Sequence, residues 1–594
     1  MNCNKKRGVV LFLIAILSVS VTGCSYSENT QGYEDASSST VTSDISTVST
    51  ASDNAVDDEM FTARDKEIGY DETTAAIITL ADGKSTSNSE LAQVSGNTVT
   101  IKEEGTYIFS GNLSEGQIVV EAEKTDKLQI VLNGASISNS SSAPVYVKQA
   151  DKVFVTLATD SENKLSTTGE FVSTDDNNVD AVIFSKEDLT INGNGKLEIN
   201  SAKGHGIVSK DDLVITSGEY KITASGHAVS GKDSVRIAQG NFTLECGKDG
   251  IHAENSDDTS LGFIYVADGD FSINASGDGI DASNTIQIEK GTFSIKTISQ
   301  STTITDDSSI KGIKSTSDMT INGGEFTLDC ADDALHSNAS LSIIDGTFNI
   351  LSVDDGIHSD EDTIISGGNI SITECYEVIE GNTVEISGGN INIVSSDDGI
   401  NAAGGNDQSG FGGGMRRDNF SAASSDSCIK ISGGKIEIVA DGDGVDSNSA
   451  IYVSGGETYV TGPHSSGNSA FDCDGTSQIT GGIFVAAGPN GMAQNFGENS
   501  TQGSMLVNAS SDEEIALKDS NGNVLVSYTP KRSYTSVLIS TPDIKQGETY
   551  TLCIGEESME IEMTSLIYGS DSGMGGGFGG GMRGSGMDDR HMYW

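Results

Sequence analysis

Proline, tryptophan and positive charge are scarce in this chain: 594 residues hold 5 Pro, 1 Trp and 34 Lys plus Arg, against 87 Asp plus Glu. So little proline excludes collagen-like and polyproline architectures. A formal net charge of −53 repels phosphate backbones, which excludes a nucleic-acid partner. It would equally repel an anionic polymer unless divalent cations intervened. No Cys-x-x-Cys pair occurs, which argues against a zinc site. No window of helical length shows the i, i+3, i+4 apolar pattern. The apolar run Val9 to Val21 is too short to argue for a retained membrane span.

What is abundant is glycine, 71 residues, and much of it is spaced regularly. Asp354-Asp355-Gly356-Ile357-His358 and Ser366-Gly367-Gly368-Asn369-Ile370 typify two signals that recur in step, most often 22 residues apart. The central residue of the first signal runs from Ile183 through Ile207, Ile251, Ile313, Ile357 and Ile400 to Phe471. Between the signals lie short apolar/polar alternations such as Asn390-Ile391-Asn392-Ile393, which is strand periodicity. Gly, Asp and Asn mark corners. One such unit cannot bury its apolar face alone, so units must stack, about 4.8 Å apart, with every strand paired to the next unit. The expected fold is all-β, a parallel β-helix of ~22-residue coils. A leucine-rich repeat lacks its Leu and Asn ladder here, and a propeller blade or a nonapeptide calcium roll has the wrong period.

Six segments follow. Residues 1–23 read as a secretion signal, and its end, Val21-Thr22-Gly23-Cys24, resembles a bacterial lipoprotein signal in which the cysteine is lipidated. Residues 24–72 read as a disordered tether rich in Ser, Thr and Asp. Residues 73–182 are expected to form irregular first coils and a cap. Residues 183–500 are the regular coils, with a Gly-rich insertion at 403–426. Residues 505–567 read as an antiparallel β module or cap, and 570–594 as a disordered Gly- and Met-rich tail. The chain is expected to be an extracellular monomer held at the membrane through Cys24. The later cysteines fall at inward positions of separate coils and should not pair.

Stacking turns repeat offsets into surface columns. Two before the central residue stand His205, His227, Asp249, Asp278, Lys311, Asp333, Asp355, Glu377, Asp398, Asp443 and Ser469. One after it, from Ile251, stand His252, Asp281, Lys314, His336, His358, Glu380, Asn401, Asp446 and Asp472. Further acids precede or follow at Asp332, Asp354, Asp397, Asp441 and Asp474. Carboxylates in register repel, so the columns call for a counter-ion, and hard oxygen donors suit Ca²⁺. The expected ligands are Asp278, Asp281, Asp332, Asp333, Asp354, Asp355, Asp397, Asp398, Asp441, Asp443, Asp446, Asp472 and Asp474. The competing reading is ordinary Asp-Gly turn chemistry, with the side chains capping backbone amides. His336, His358 and Tyr376 are possible sugar contacts.

The segment from Leu128 to Val153, the Asp-Asp-Gly-Ile-His and Ser-Gly-Gly-Asn-Ile repeats, Tyr528-Thr529-Pro530-Lys531 and Gly547-Glu548-Thr549-Tyr550 resemble the clostridial cellulose- and pectin-binding β-helix lipoproteins, the carbohydrate-binding domain-containing proteins. That resemblance spans about residues 75–566. It implies a right-handed coil, bound Ca²⁺ and attachment to plant cell-wall polysaccharide. The sole Trp is Trp594, so an aromatic sugar platform would have to be Tyr or Phe. Asp278-Gly-Ile-Asp281 and Asp443-Gly-Val-Asp446 also resemble part of the calcium cluster of family-nine pectate lyases, which implies Lys311 or Lys314 as a catalytic base. Against it, either lysine would serve equally to neutralise an acidic column, and the full lyase cluster is not reproduced; the third alternative is a purely structural adhesin or wall spacer.

Overall fold

The computed structural model describes residues 60–173, 175–298, 309–402 and 427–569. The leader, Cys24, the tether to residue 59, the insertion 403–426 and the tail 570–594 lie outside the described residues. Each regular repeat contributes three strands. In one they are Leu335–Ser337, Leu341–Ile343 and Thr347–Ser352, and in the next Ile357–Ser359, Asp362–Ile365 and Asn369–Glu374. Every strand pairs in parallel with its counterpart one repeat on, Leu335 opposite Ile357, Leu341 opposite Thr363 and Phe348 opposite Ile370.

The short first strands form a sixteen-stranded sheet ending at Asp472–Cys473. The second and third strands form two ladders that fuse into one sheet where long strands, such as Lys127–Asn139 and Ala450–Thr461, run across both. The architecture is therefore all-β, with parallel pairing repeated from one unit to the next.

Alternation carries the core. Third strands such as Thr292–Thr297 and Glu325–Cys330 alternate exposed and buried along their length. Their second residues, Tyr220, Phe242, Phe271, Phe293, Phe326 and Phe348, stack ring on ring at 4.6–4.9 Å between centroids. Identical in-register side chains maximise this contact. The paired glycines turn the corner ahead of that strand. Gly368 has φ +90°, and a Cβ there would lie 2.8 Å from the Gly346 carbonyl oxygen, so neither the dihedral nor the space admits a side chain.

At the C-terminal end, Ser504–Ser511 and Tyr534–Ser540 add to the last long strand with antiparallel pairing. A four-stranded antiparallel sheet packs against them, Leu517, Tyr528 and Leu552 sharing one core with Met505, Val537 and Ile539. This covers what would otherwise be an open edge. Tyr528 and Lys531 both bond Thr461 Oγ1, at 2.6 and 3.0 Å, so the Tyr-Thr-Pro-Lys motif docks this sheet onto the ladder.

The tether boundary needs correction. Residues 60–72 are anchored: Phe61 is 2% exposed and packs on Tyr265, and Asp65 pairs with Lys152 at 2.8 Å. Polar composition hid two large apolar residues and a buried acid that have partners far along the chain. The six described cysteines are unpaired, as their separate repeats require.

Candidate functional site

Backbone amides organise the corner before the first strands. The side chain two before the central residue accepts the backbone N–H of the equivalent residue in the next repeat. His205 Nδ1 accepts from His227 N at 2.9 Å, Asp249 Oδ1 from Asp278 N at 2.9 Å, and Asp278 Oδ1 from Lys311 N at 2.6 Å. Asp333 Oδ1 accepts from Asp355 N at 3.1 Å, Asp398 Oδ1 from Asp443 N at 2.5 Å, and Asp443 Oδ1 from Ser469 N. Asp and neutral His interchange because each carries an acceptor on the δ atom. The turn-chemistry reading is therefore half right: these side chains do cap amides, but across repeats rather than within one turn. One oxygen of each carboxylate is used in this way, and the second faces its neighbours.

Between His227 and Asp360 the columns hold acids and bases together. His227 Nδ1 lies 2.9 Å from Asp249 Oδ2, and His252 Nδ1 lies 3.1 Å from both Asp249 Oδ2 and Asp281 Oδ2. The Lys311 ammonium sits 2.5 Å from Asp333 and 3.3 Å from Asp332. Asp332, Asp333 and Asp354 bring their carboxylate oxygens within 4.8 Å of one another, a grouping able to hold a cation, and here the Lys311 ammonium supplies positive charge beside two of them.

Lys311 is also corrected as a catalytic base, since its amine is held in two ion pairs and is 10% exposed. Lys314 lies 3.8 Å from Asp278 and 4.0 Å from Asp281, the neutralising position. Burial pushes the Asp278 carboxyl up to about 7, with Asp281 adding to the shift and Lys314 opposing it.

His336 and His358 are 4% and 0% exposed. Neither reaches the surface, so both are corrected as sugar contacts. Their rings stack at 4.8 Å. His336 bonds Asp333 at 2.8 Å, while His358 bridges Asp355 at 3.2 Å, Glu380 at 2.8 Å and Asp360 at 3.3 Å. Burial disfavours the His358 cation, but the bonds to these three acids outweigh it and raise its pKa well above 6.5. Burial and neighbouring acids also raise Asp355 and Glu377 well above the usual carboxylate range. Among the described residues, Asp355 Oδ1 is buried with no hydrogen-bond partner. The ladder is broken at this step, because Glu377 takes no bond from it.

From Asp398 onward no Lys or His occupies either offset. Asp446 lies in the middle of this run. Burial, then Asp398, Asp443, Asp472 and Asp474 in turn, push its carboxyl up to about 8. Burial and Asp474 likewise raise Asp472, which also accepts the Gln494 side-chain amide. Asp441 leaves the expected set, because Arg532, in the connection between the strands Val524–Tyr528 and Tyr534–Ser540, pairs with it at 2.7 Å. Asp397 is engaged by Tyr376, which is 38% exposed and whose phenol is raised first by that hydrogen bond. Asp398, Asp443, Asp446, Asp472 and Asp474 thus form a run of hard oxygen donors that act on one another electrostatically, without the close convergence found at Asp332, Asp333 and Asp354. The periodic columns pointed to this group. The amide ladder and the Arg532 contact left no signal in a single repeat.

Comparison with known proteins places the chain. It is 37% identical over 155 residues to a carbohydrate-binding domain-containing protein of Acetivibrio thermocellus. That alignment covers 26% of this chain and 54% of the relative, so the chain spans about half the length of that curated protein. Among solved structures it is similar to the polysaccharide lyase-like protein from C. thermocellum, a gadolinium derivative. That match has 29% identity over 45% of this chain and 96% of the other, with a TM-score of 0.37. The family model for carbohydrate-binding domain-containing proteins matches residues 95–356 and 351–545. The chain belongs to the carbohydrate-binding domain-containing protein family.

Proposed function

We propose that the chain is a right-handed parallel β-helix that binds plant cell-wall polysaccharide at the bacterial surface, anchored through lipid on Cys24. Pectin-type polyuronate is the favoured ligand, with cellulose as a further one, and Ca²⁺ is held by Asp398, Asp443, Asp446, Asp472 and Asp474. Family membership supports the carbohydrate, and parallel pairing from repeat to repeat supports the coil. The observation that carries the calcium reading is Asp446, half-buried and repelled by four other carboxylates, with no Lys or His at the column positions around it. A divalent ion there relieves the repulsion and leaves coordination positions for a uronate carboxylate. At a net charge of −53, such bridging is what lets a polyanion approach.

Retention on insoluble polygalacturonate, with Ca²⁺ or with chelator, tests the reading. Binding should require Ca²⁺ and should drop at least about tenfold in Asp446→Asn. Equal retention in chelator would overturn the calcium bridge, and no retention on any plant glycan would overturn the carbohydrate reading. The lyase alternative gains nothing from Lys311, whose amine is held between two aspartates.

A further inference from the structure

We propose that His227, Asp249, His252 and Asp281 form a second metal site, selective for a first-row divalent ion of the zinc class rather than for Ca²⁺. Register brings the four together. His227 and Asp249 are successive members of one column, and His252 lies directly opposite Asp281 on adjacent parallel strands. The donor atoms of His227, Asp249 and His252 converge within 4.8 Å of one another: His227 Nδ1 and His252 Nδ1 lie 2.9 and 3.1 Å from Asp249 Oδ2, and Asp281 Oδ2, 3.1 Å from His252 Nδ1, stands outside that trio and would move in to complete the set. Ligands at 2.0–2.1 Å from a tetrahedral zinc ion stand about 3.3 Å apart, a spacing that the His227–Asp249 and His252–Asp249 pairs approach.

Hydrogen bonding alone leaves this cluster frustrated. His227 Nδ1 faces the Asp249 backbone N–H at 3.3 Å, the same acceptor role that His205 Nδ1 plays one repeat earlier. An accepting nitrogen directs a lone pair, yet the same atom lies 2.9 Å from the Asp249 carboxylate oxygen. A proton placed there would satisfy the carboxylate at the expense of the amide. On the other side, a single His252 Nδ1 proton would have to serve two carboxylates at equal distance. A divalent cation balances the two carboxylates with neutral imidazoles and spares His252 Nδ1 from serving both, with the Asp249 amide released from His227 Nδ1. Imidazole donors favour zinc, cobalt and nickel over calcium.

The surroundings suit a held site. The four side chains are 12–18% exposed, shielded but reachable. The His205, His227 and His252 rings stack at 4.8 and 4.2 Å, and a shared ion would tilt His227 and His252 toward each other. Glu254 lies 3.5 Å from His252 Nε2, placed to orient the imidazole as outer carboxylates do around metal-bound histidine.

Cobalt titration of the chelator-stripped, tag-free protein provides the test. The expected result is a visible d–d absorbance that saturates at one equivalent, is displaced by Zn²⁺ and survives excess Ca²⁺. His252→Gln should weaken Co²⁺ binding more than about a hundredfold, and so should His227→Asn, which keeps a δ acceptor for the Asp249 amide. His205→Asn, in the same stack but apart from the carboxylates, should bind as the parent does. Far-UV circular dichroism confirms that each variant is folded. No saturable band in the parent, or an undiminished band in folded His252→Gln and His227→Asn, would overturn the proposal.

Discussion

Two stretches of one ladder solve the same electrostatic problem differently. From His227 to Asp360 the acids of the first-strand corner are interleaved with His252, Lys311, Lys314, His336 and His358, and most carboxylates face a basic group within 4 Å. From Asp398 to Asp474 the same offsets carry only acids, Asn401 and Ser469, and Asp446 is pushed up to about 8 by burial and its neighbours. The backbone and the amide-capping bonds are alike in both. The difference is whether the counter-charge is covalently part of the chain. Where it is, as around Lys311, the corner neutralises its own acids without calcium. Where it is not, the column needs an ion from solution.

The comparison breaks most severely if the internal counter-charge is removed. Lys311→Met should leave Asp333, which is 0% exposed, facing Asp332 with only the His336 imidazole and the Asp355 amide as partners, and should cost about 3 kcal/mol in urea unfolding. A loss below about 1 kcal/mol would mean that the pairing is incidental. In the other stretch the sign should reverse. In chelator at pH 8, Asp446→Asn should stabilise the protein, by on the order of 3 kcal/mol, because it removes a charge from a repelling group. Destabilisation there would show that the carboxylate is already satisfied.

A smaller effect is expected from pH. The pKa of His358 is raised well above 6.5 in the fold, so its contribution is complete below about 6.5 and is lost as pH rises through the raised value. Asp355 and Glu377, also raised, act in the same direction, since the folded state holds more protons. Stability should fall from pH 6 to pH 9, and His358→Gln should flatten that slope by about 1–2 kcal/mol. Denaturant midpoints across that range check it, and a parallel slope in the variant would remove His358 from the account. Least affected should be Lys314→Ala, within about 0.5 kcal/mol of the parent. It should also leave the unsaturated-product absorbance on polygalacturonate at background, as in the parent. Product in the parent that vanishes in this variant would restore the catalytic reading.

Much of this was legible in the sequence because a stacked fold converts spacing into position. The central residues from Ile183 to Phe471, and the glycines beside Gly368, located the strands and corners, and the two offsets correctly named which residues face one another. What failed was local inference about surroundings. His336 and His358 stand at nominally outward positions yet are buried, since Asp333, Asp355, Asp360 and Glu380 close around them. Asp441 was placed with the metal ligands because nothing nearby in sequence revealed Arg532. Phe61 and Asp65 were read as tether because their partners, Tyr265 and Lys152, lie far along the chain.

The most direct measurement is the thermal midpoint as a function of Ca²⁺ concentration, for the parent and for Asp446→Asn. Binding to the folded state alone raises stability by about 2.7 kcal/mol at a hundred times the dissociation constant. The parent midpoint should climb with Ca²⁺, and the Asp446→Asn midpoint should start higher in chelator and stay flat. A parent that ignores Ca²⁺, or a variant that tracks the parent, would contradict the claim that the acid-only stretch is where the ladder takes its ion from solution.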